Sequence, residues 1–135
     1  MSETFHRPGW QASAEAPVAA ETGFAGRGVP DVGAFADPAA GYAAVAGGER
    51  VRGGGTAAAA ALWAALVVLI DEHLAKIRPG ATAGYFTPLL YCGIGLSDAF
   101  NRLGGTRRAG RRWNLDTGWG SPRGLTLLRA LARDR

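Results

Sequence analysis

Cysteine is almost absent. Cys92 is the single example in 135 residues. No internal disulfide can form, and nothing points to an oxidising compartment. A lone cysteine reads first as a small buried apolar residue. Histidine is nearly as scarce. His73 lies near Asp71 and Glu72, but no second histidine is spaced to join it, so it reads as structural. The segment from Met1 to His6 lacks a basic start followed by an apolar core. It is therefore no signal peptide, and a cytoplasmic chain is expected. No uncharged apolar run reaches the roughly 20 residues that a bilayer requires; the longest is Ala57 to Ile70. No membrane contact is expected.

Acidic residues thin out toward the C-terminus. Up to Asn101 acids outnumber bases. Beyond it stand Arg102, Arg107, Arg108, Arg111, Arg112, Arg123, Arg129, Arg133 and Arg135 against Asp116 and Asp134. Such a tail can bind nucleic acid, but no nucleic-acid motif accompanies it, and a solvated basic surface is the simpler reading. The hydrophobic fraction of 47% argues against wholesale disorder. The length suits one small domain.

The stretch that organises the chain is Gly53-Gly54-Gly55-Thr56, which runs straight into the apolar segment Ala57 to Ile70. Thr56 is the expected N-cap. The helix is expected from Thr56 to about Ile77, with Pro79-Gly80 as its stop. A helix apolar on every side is expected to be buried. A glycine loop feeding its N-terminus leaves backbone N–H groups facing open space, where an anion, a nucleophile or a backbone contact fits.

The remaining elements follow from local signals. Residues 1–25 are loop-like, with Pro8, Pro17 and Gly23 as breakers. Val32 to Ala36 is a short apolar run expected to form a buried strand. Asp31 is expected to be structural, capping backbone N–H groups or pairing with Arg27. Extended runs on either side of Gly47-Gly48 predict a hairpin. Pro88 predicts the start of a short helix, with Thr87 as its cap. Ser121 and Pro122 predict the cap and first position of a final helix, with Leu125, Leu128, Leu131 and Ala132 as its apolar face.

Four ordered motifs resemble the sedolisins, serine-carboxyl peptidases with a subtilisin-like fold. Gly26-Arg27-Gly28-Val29-Pro30-Asp31-Val32, continued by Asp37-Pro38 and Gly41-Tyr42, is similar to a run that precedes their nucleophile segment. Gly54-Gly55-Thr56 and Ala58 resemble the nucleophile segment itself, Gly-Gly-Thr-Ser-Ala-x-x-Pro. Gly84 to Tyr91 resembles Gly-x-Leu-Asn-Pro-x-Leu-Tyr, and Thr117 to Gly124 matches Thr-Gly-x-Gly-Ser-Pro-x-Gly. Phe5, Pro8, Trp10 and Gln11 add an aromatic-x-x-Pro-x-Trp-Gln run.

The resemblance implies an α/β fold, a partial subtilisin-like domain with few strands, a buried central helix and a C-terminal helix. Residues 1–135 would form one sedolisin-like C-terminal half-domain. Its parts would be a loop-rich lead-in over 1–25, strands over 26–53, the central helix over 54–78, a loop-rich region over 79–120 and a helix over 121–135. The nucleophilic serine falls on Ala57 and the motif proline on Ala61, and the segments carrying the family's acidic partners are not recognisable. No catalytic residue is then intact, since serine chemistry needs a hydroxyl, a base and an oxyanion donor. Gly54, Gly55 and Thr56 would still line any surviving substrate cleft. Ala99-Phe100-Asn101-Arg102 aligns with the opening of the family's calcium loop, which places Arg102 and Asn114 where two carboxylate ligands belong. Asp98 would serve only after a shift of register that breaks the Ala-Phe match. Calcium is therefore expected to be lost, with the Arg102 guanidinium in the place of the ion.

Three functions follow as expectations. The first is a non-catalytic half-domain that associates with a complementary chain or with itself. The second is the nucleophile-bearing half of an acid endopeptidase inactivated at position 57. The third is an arginine-rich binding adaptor.

Overall fold

The computed structural model describes residues 1–14, 22–102 and 113–133. They form two compact units. One comprises Met1–Gly33 and Ala83–Arg135, and the other comprises Ala34–Thr82.

The second unit carries the hairpin and the long helix. Strands β1 (Tyr42–Ala46) and β2 (Glu49–Gly53) pair antiparallel, Ala46 opposite Glu49 and Tyr42 opposite Gly53. Gly47 and Gly48 both have positive φ, 59° and 84°, as a two-residue type I′ turn requires. Helix α1 spans Thr56–Ile77, where alanine supplies high helix propensity and no glycine or proline interrupts. It ends where expected, with the Arg78 N–H donating to Leu74 O at 2.8 Å before Pro79.

Three expectations are corrected in this unit. Gly55, at φ 89°, precedes the first helical residue, and no side chain caps the helix. Thr56 is thus the first helical residue, not the cap. Val32 to Ala36 forms no strand. Its backbone groups bind singly instead: Ala36 O accepts from Gly55 N at 2.7 Å, and Phe35 O accepts from the Tyr42 hydroxyl at 2.5 Å. Among the described residues no strand lies beside it to form a ladder. Finally, α1 is not buried on all sides. Only Ile70 and Leu74 are buried, while Val68 is 66% and Leu69 62% exposed. The helix also outruns the uncharged segment. At 22 residues and a mean hydropathy of 1.6 it is long and apolar enough to cross a membrane by length and composition, a test that core helices also pass.

The first unit holds most of the buried residues. Its elements are a 3-10 helix (Gly9–Ala14), α2 (Thr87–Cys92), a 3-10 turn (Ile94–Leu96), the short strands β3 (Phe100–Asn101) and β4 (Ser121–Pro122), and α3 (Gly124–Arg133). Thr87 is the first residue of α2 and not its cap, which is Phe86, and Pro88 follows within the first turn. Cys92 is exposed, not buried as a lone cysteine was expected to be. Ser121 and Pro122 pair with Asn101 and Phe100 and do not open the final helix. The Arg123 carbonyl accepts the first helical bond, from Leu127 N at 2.9 Å. Leu131 is fully buried as expected, but its buried partner one turn away is Leu127, and Leu125 points outward at 61% exposure.

A polar network ties this unit together. The Tyr91 hydroxyl donates to Asp31 Oδ1 at 2.6 Å and accepts from Gln11 Nε2 at 2.8 Å. Gln11 Nε2 also donates to Gly28 O, and Gly28 N–H returns a bond to Gln11 Oε1 at 2.7 Å. Arg27 Nη2 donates to Asp31 Oδ2 at 2.5 Å, the expected pairing. Burial and the bond to Asp31 raise the Tyr91 pKa well above the ordinary tyrosine range.

Replacing Tyr91 by Phe leaves buried Gln11 Nε2 and the Asp31 carboxylate each short of a partner. We expect a loss of about 1–3 kcal/mol in a urea titration at neutral pH. The raised pKa sets a second expectation. The unfolded chain ionises this phenol near pH 10 and the folded chain does not. Stability is therefore full below about pH 10 and falls as pH rises beyond it. The Tyr91→Phe variant should lose that part of the alkaline slope.

Candidate functional site

The glycine loop is built by close backbone approach. A Cβ on Gly54 would lie 2.8 Å from Ala36 O and from Pro38 N, and a Cβ on Gly41 would lie 2.5 Å from Gly53 O. Only glycine fits at these two positions. Gly55 then turns the chain at φ 89° into α1, with its own N–H donated to Ala36 O. Ala59 N–H reaches back to Gly55 O at 3.2 Å. The amides of Thr56, Ala57 and Ala58 have no acceptor among the described residues, as expected for a first helical turn. Thr56 and Ala57 are exposed, and Gly54 and Gly55 half-buried. The loop therefore presents free N–H groups beside a methyl group. It offers backbone donors to a bound group.

His73, half of the scarce histidine, is exposed on α1. No group of three or more His, Cys, Asp or Glu side chains among the described residues could hold a metal ion.

The positions aligned with the calcium loop lie in the other unit. Arg102 is exposed and its Nη2 donates to Ser97 O at 3.1 Å. Asn114 is 7% exposed. Its Oδ1 accepts three bonds, from Asp116 N at 2.9 Å, Thr117 N at 2.7 Å and Thr117 Oγ1 at 3.0 Å. Asn114 N–H and O also pair with Gly118. The amide oxygen is thus fully engaged in shaping its own turn, and a guanidinium stands at 102. That donor set does not fit a hard cation, which needs several free oxygens and net negative charge. Arg107, Arg108, Arg111 and Arg112 lie outside the described residues, as does Arg135.

Sequence reasoning missed Gln11 as a structural polar residue. It is fully buried and its side chain makes three bonds within the network. The signal was present in its place directly after Trp10, whose ring packs at a tilt against Tyr91 with centroids 5.1 Å apart and lies 5.8 Å from the Arg27 guanidinium carbon.

Replacing Gly54 by Ala should destabilise the chain by about 1–3 kcal/mol, because the added carbon meets backbone that cannot give way. The neighbouring Gly53→Ala change meets nothing within 4 Å and should leave the thermal midpoint nearly unmoved. Paired melts of the two variants check this.

No family model matches the chain. Individual proteins do. Over 97% of its length the chain is 43% identical to kumamolisin from Bacillus sp. (strain MN-32), and it spans 24% of that protein. Over 52% of its length it is 41% identical to tripeptidyl-peptidase sed4 from Aspergillus fumigatus, of which that match covers 11%. With the four motifs in their expected order, these matches place the chain in the sedolisin family, over a stretch equal to about a quarter of kumamolisin.

Proposed function

We propose that this peptidase-derived chain is a non-catalytic member of its family that acts by associating with a complementary protein surface, on another chain or on a second copy. The observation that carries this reading is the first turn of α1. Where the family motif has its serine, Ala57 offers a methyl group, which can neither attack a carbonyl nor be activated by a base. The exposed apolar residues of the same helix, Leu62, Val68, Leu69 and Ile77, supply the surface for association. The peptidase activity named for sed4 belongs to that protein.

The calcium of the family has no place in this reading. Arg102 supplies positive charge to a backbone carbonyl where the family would have an ion, and Asn114 keeps its oxygen for its own loop. Calorimetric titration with calcium should give no heat of binding, and micromolar binding would overturn this part.

A second reading keeps the glycine loop at work. The free amides of Thr56, Ala57 and Ala58 favour it, since they could hold a peptide carbonyl or carboxylate at the helix N-terminus. Gly54, Gly55 and Thr56 would then line the cleft of an inactivated endopeptidase half. The two readings part on Ala57→Ser. Non-catalytic association predicts no peptide cleavage by this variant at any acidic pH, alone or mixed with a sedolisin segment carrying the acidic partners. Cleavage by the mixture would establish the second reading.

Association is read directly from the solution mass by light scattering, with a thermal melt on the same sample. A defined dimer, or a complex with a complementary chain, is the expected result. A monomer with a cooperative melt that ignores every complementary sedolisin segment would overturn the proposal.

A further inference from the structure

We infer that the outer edge of β2 is a docking edge for an extended segment of a partner protein with acidic side chains at alternate positions. The hairpin cannot be self-sufficient. Every residue of β2 is exposed, and so is every residue of β1 except Tyr42. A two-stranded ribbon without a covered face is at best marginally stable in water.

The register says what the free edge offers. Ala46 and Glu49 flank the two-residue turn and form the hydrogen-bonded pair. Alternation then makes Val45–Arg50 and Ala43–Arg52 the non-hydrogen-bonded pairs. The N–H and C=O of Arg50 and Arg52 therefore point away from β1. Neither residue has a backbone partner among the described residues. These are the groups that an added strand would engage.

The side chains set the chemistry of that strand. Arg50 and Arg52 are two apart and project from the same face, about 7 Å from each other along the strand. Neither is in an ion pair among the described residues. Glu49 and Val51 lie on the opposite face, so no acid of this strand neutralises them. An incoming strand would set alternate side chains directly opposite the two guanidiniums, close enough for carboxylates to pair with them. Like charges there would be repelled, which excludes a lysine-bearing strand. Val45, 71% exposed, adds apolar contact on the arginine face.

The inference extends the association reading to a second surface and rests on it only in requiring a partner. The test uses the full chain and a fluorescently labelled peptide of alternating Glu and Val, followed by anisotropy. Saturable binding is expected. It should weaken about tenfold in the Arg50→Glu/Arg52→Glu double variant and vanish when alternate peptide amides are N-methylated on the bonding edge. The Arg50→Gln/Arg52→Gln variant should fall between. Circular dichroism matching the parent keeps each comparison free of misfolding. No saturable binding, equal binding of an alternating Lys and Val peptide, or indifference to both arginine variants would overturn the inference. Light scattering of the parent chain reads the association proposal separately, so one can fail while the other stands.

Discussion

The carboxylate of Asp31 is the constraint on which the larger unit depends. One oxygen takes the Tyr91 hydroxyl and the other the Arg27 guanidinium, while its backbone carbonyl receives the Trp119 N–H at 2.9 Å. Three distant stretches of chain thereby meet at one residue. Gln11 completes the arrangement by holding both Tyr91 and Gly28. A half-buried charge is tolerable only with such partners. Packing follows the same lines. Trp119 stacks edge-on to Tyr91 with centroids 5.5 Å apart, and Trp113 donates its indole N–H to Pro30 O at 3.1 Å. Two glycines record how tightly the rings and backbone close. A Cβ on Gly95 would enter the Trp119 ring, and one on Gly118 would collide with the Asp31 carbonyl.

Elements set by local chemistry were legible in the sequence, and elements set by distant partners were not. The Gly-Gly turn and the extent of α1 follow from backbone preference, and both match. The Arg27–Asp31 pair needed only proximity along the chain. Val32 to Ala36 carries a strand-like composition, but a strand is a relation to a neighbour, and no neighbour exists among the described residues. Ser121-Pro122 has the chemistry of a helix start, yet the pair is held in β4 by Asn101 and Phe100. In α3 itself Leu131 is buried as expected, while Leu127 and not Leu125 is its buried neighbour one turn away. The candidate site divides in the same way. The glycine loop was visible from its residues alone, whereas the three donors on Asn114 Oδ1 become visible only once the Asn114–Gly118 turn is built.

Helix α1 shows how composition and environment can part. Its residues suit an interior, but only Ile70 and Leu74 reach one. The hairpin before it repeats the pattern, with Val45 and Val51 turned to solvent. Both features belong to the unit Ala34–Thr82, which is rich in apolar residues and poor in buried ones.

The division of the chain into a continuous unit and a split one also sets an order of events. Gln11 and Tyr91 are 80 positions apart, and everything in Ala34–Thr82 lies between them. On the ribosome, α1 and its hairpin emerge before Tyr91, when the lead-in holds only the bonds it makes within itself, Gln11 to Gly28 among them. Gln11 and Asp31 must wait for the Tyr91 hydroxyl until α2 emerges. Closing so long a loop adds little entropic penalty beyond that of a shorter one, but it delays assembly. The apolar helix is thus in place before the polar clasp can shut.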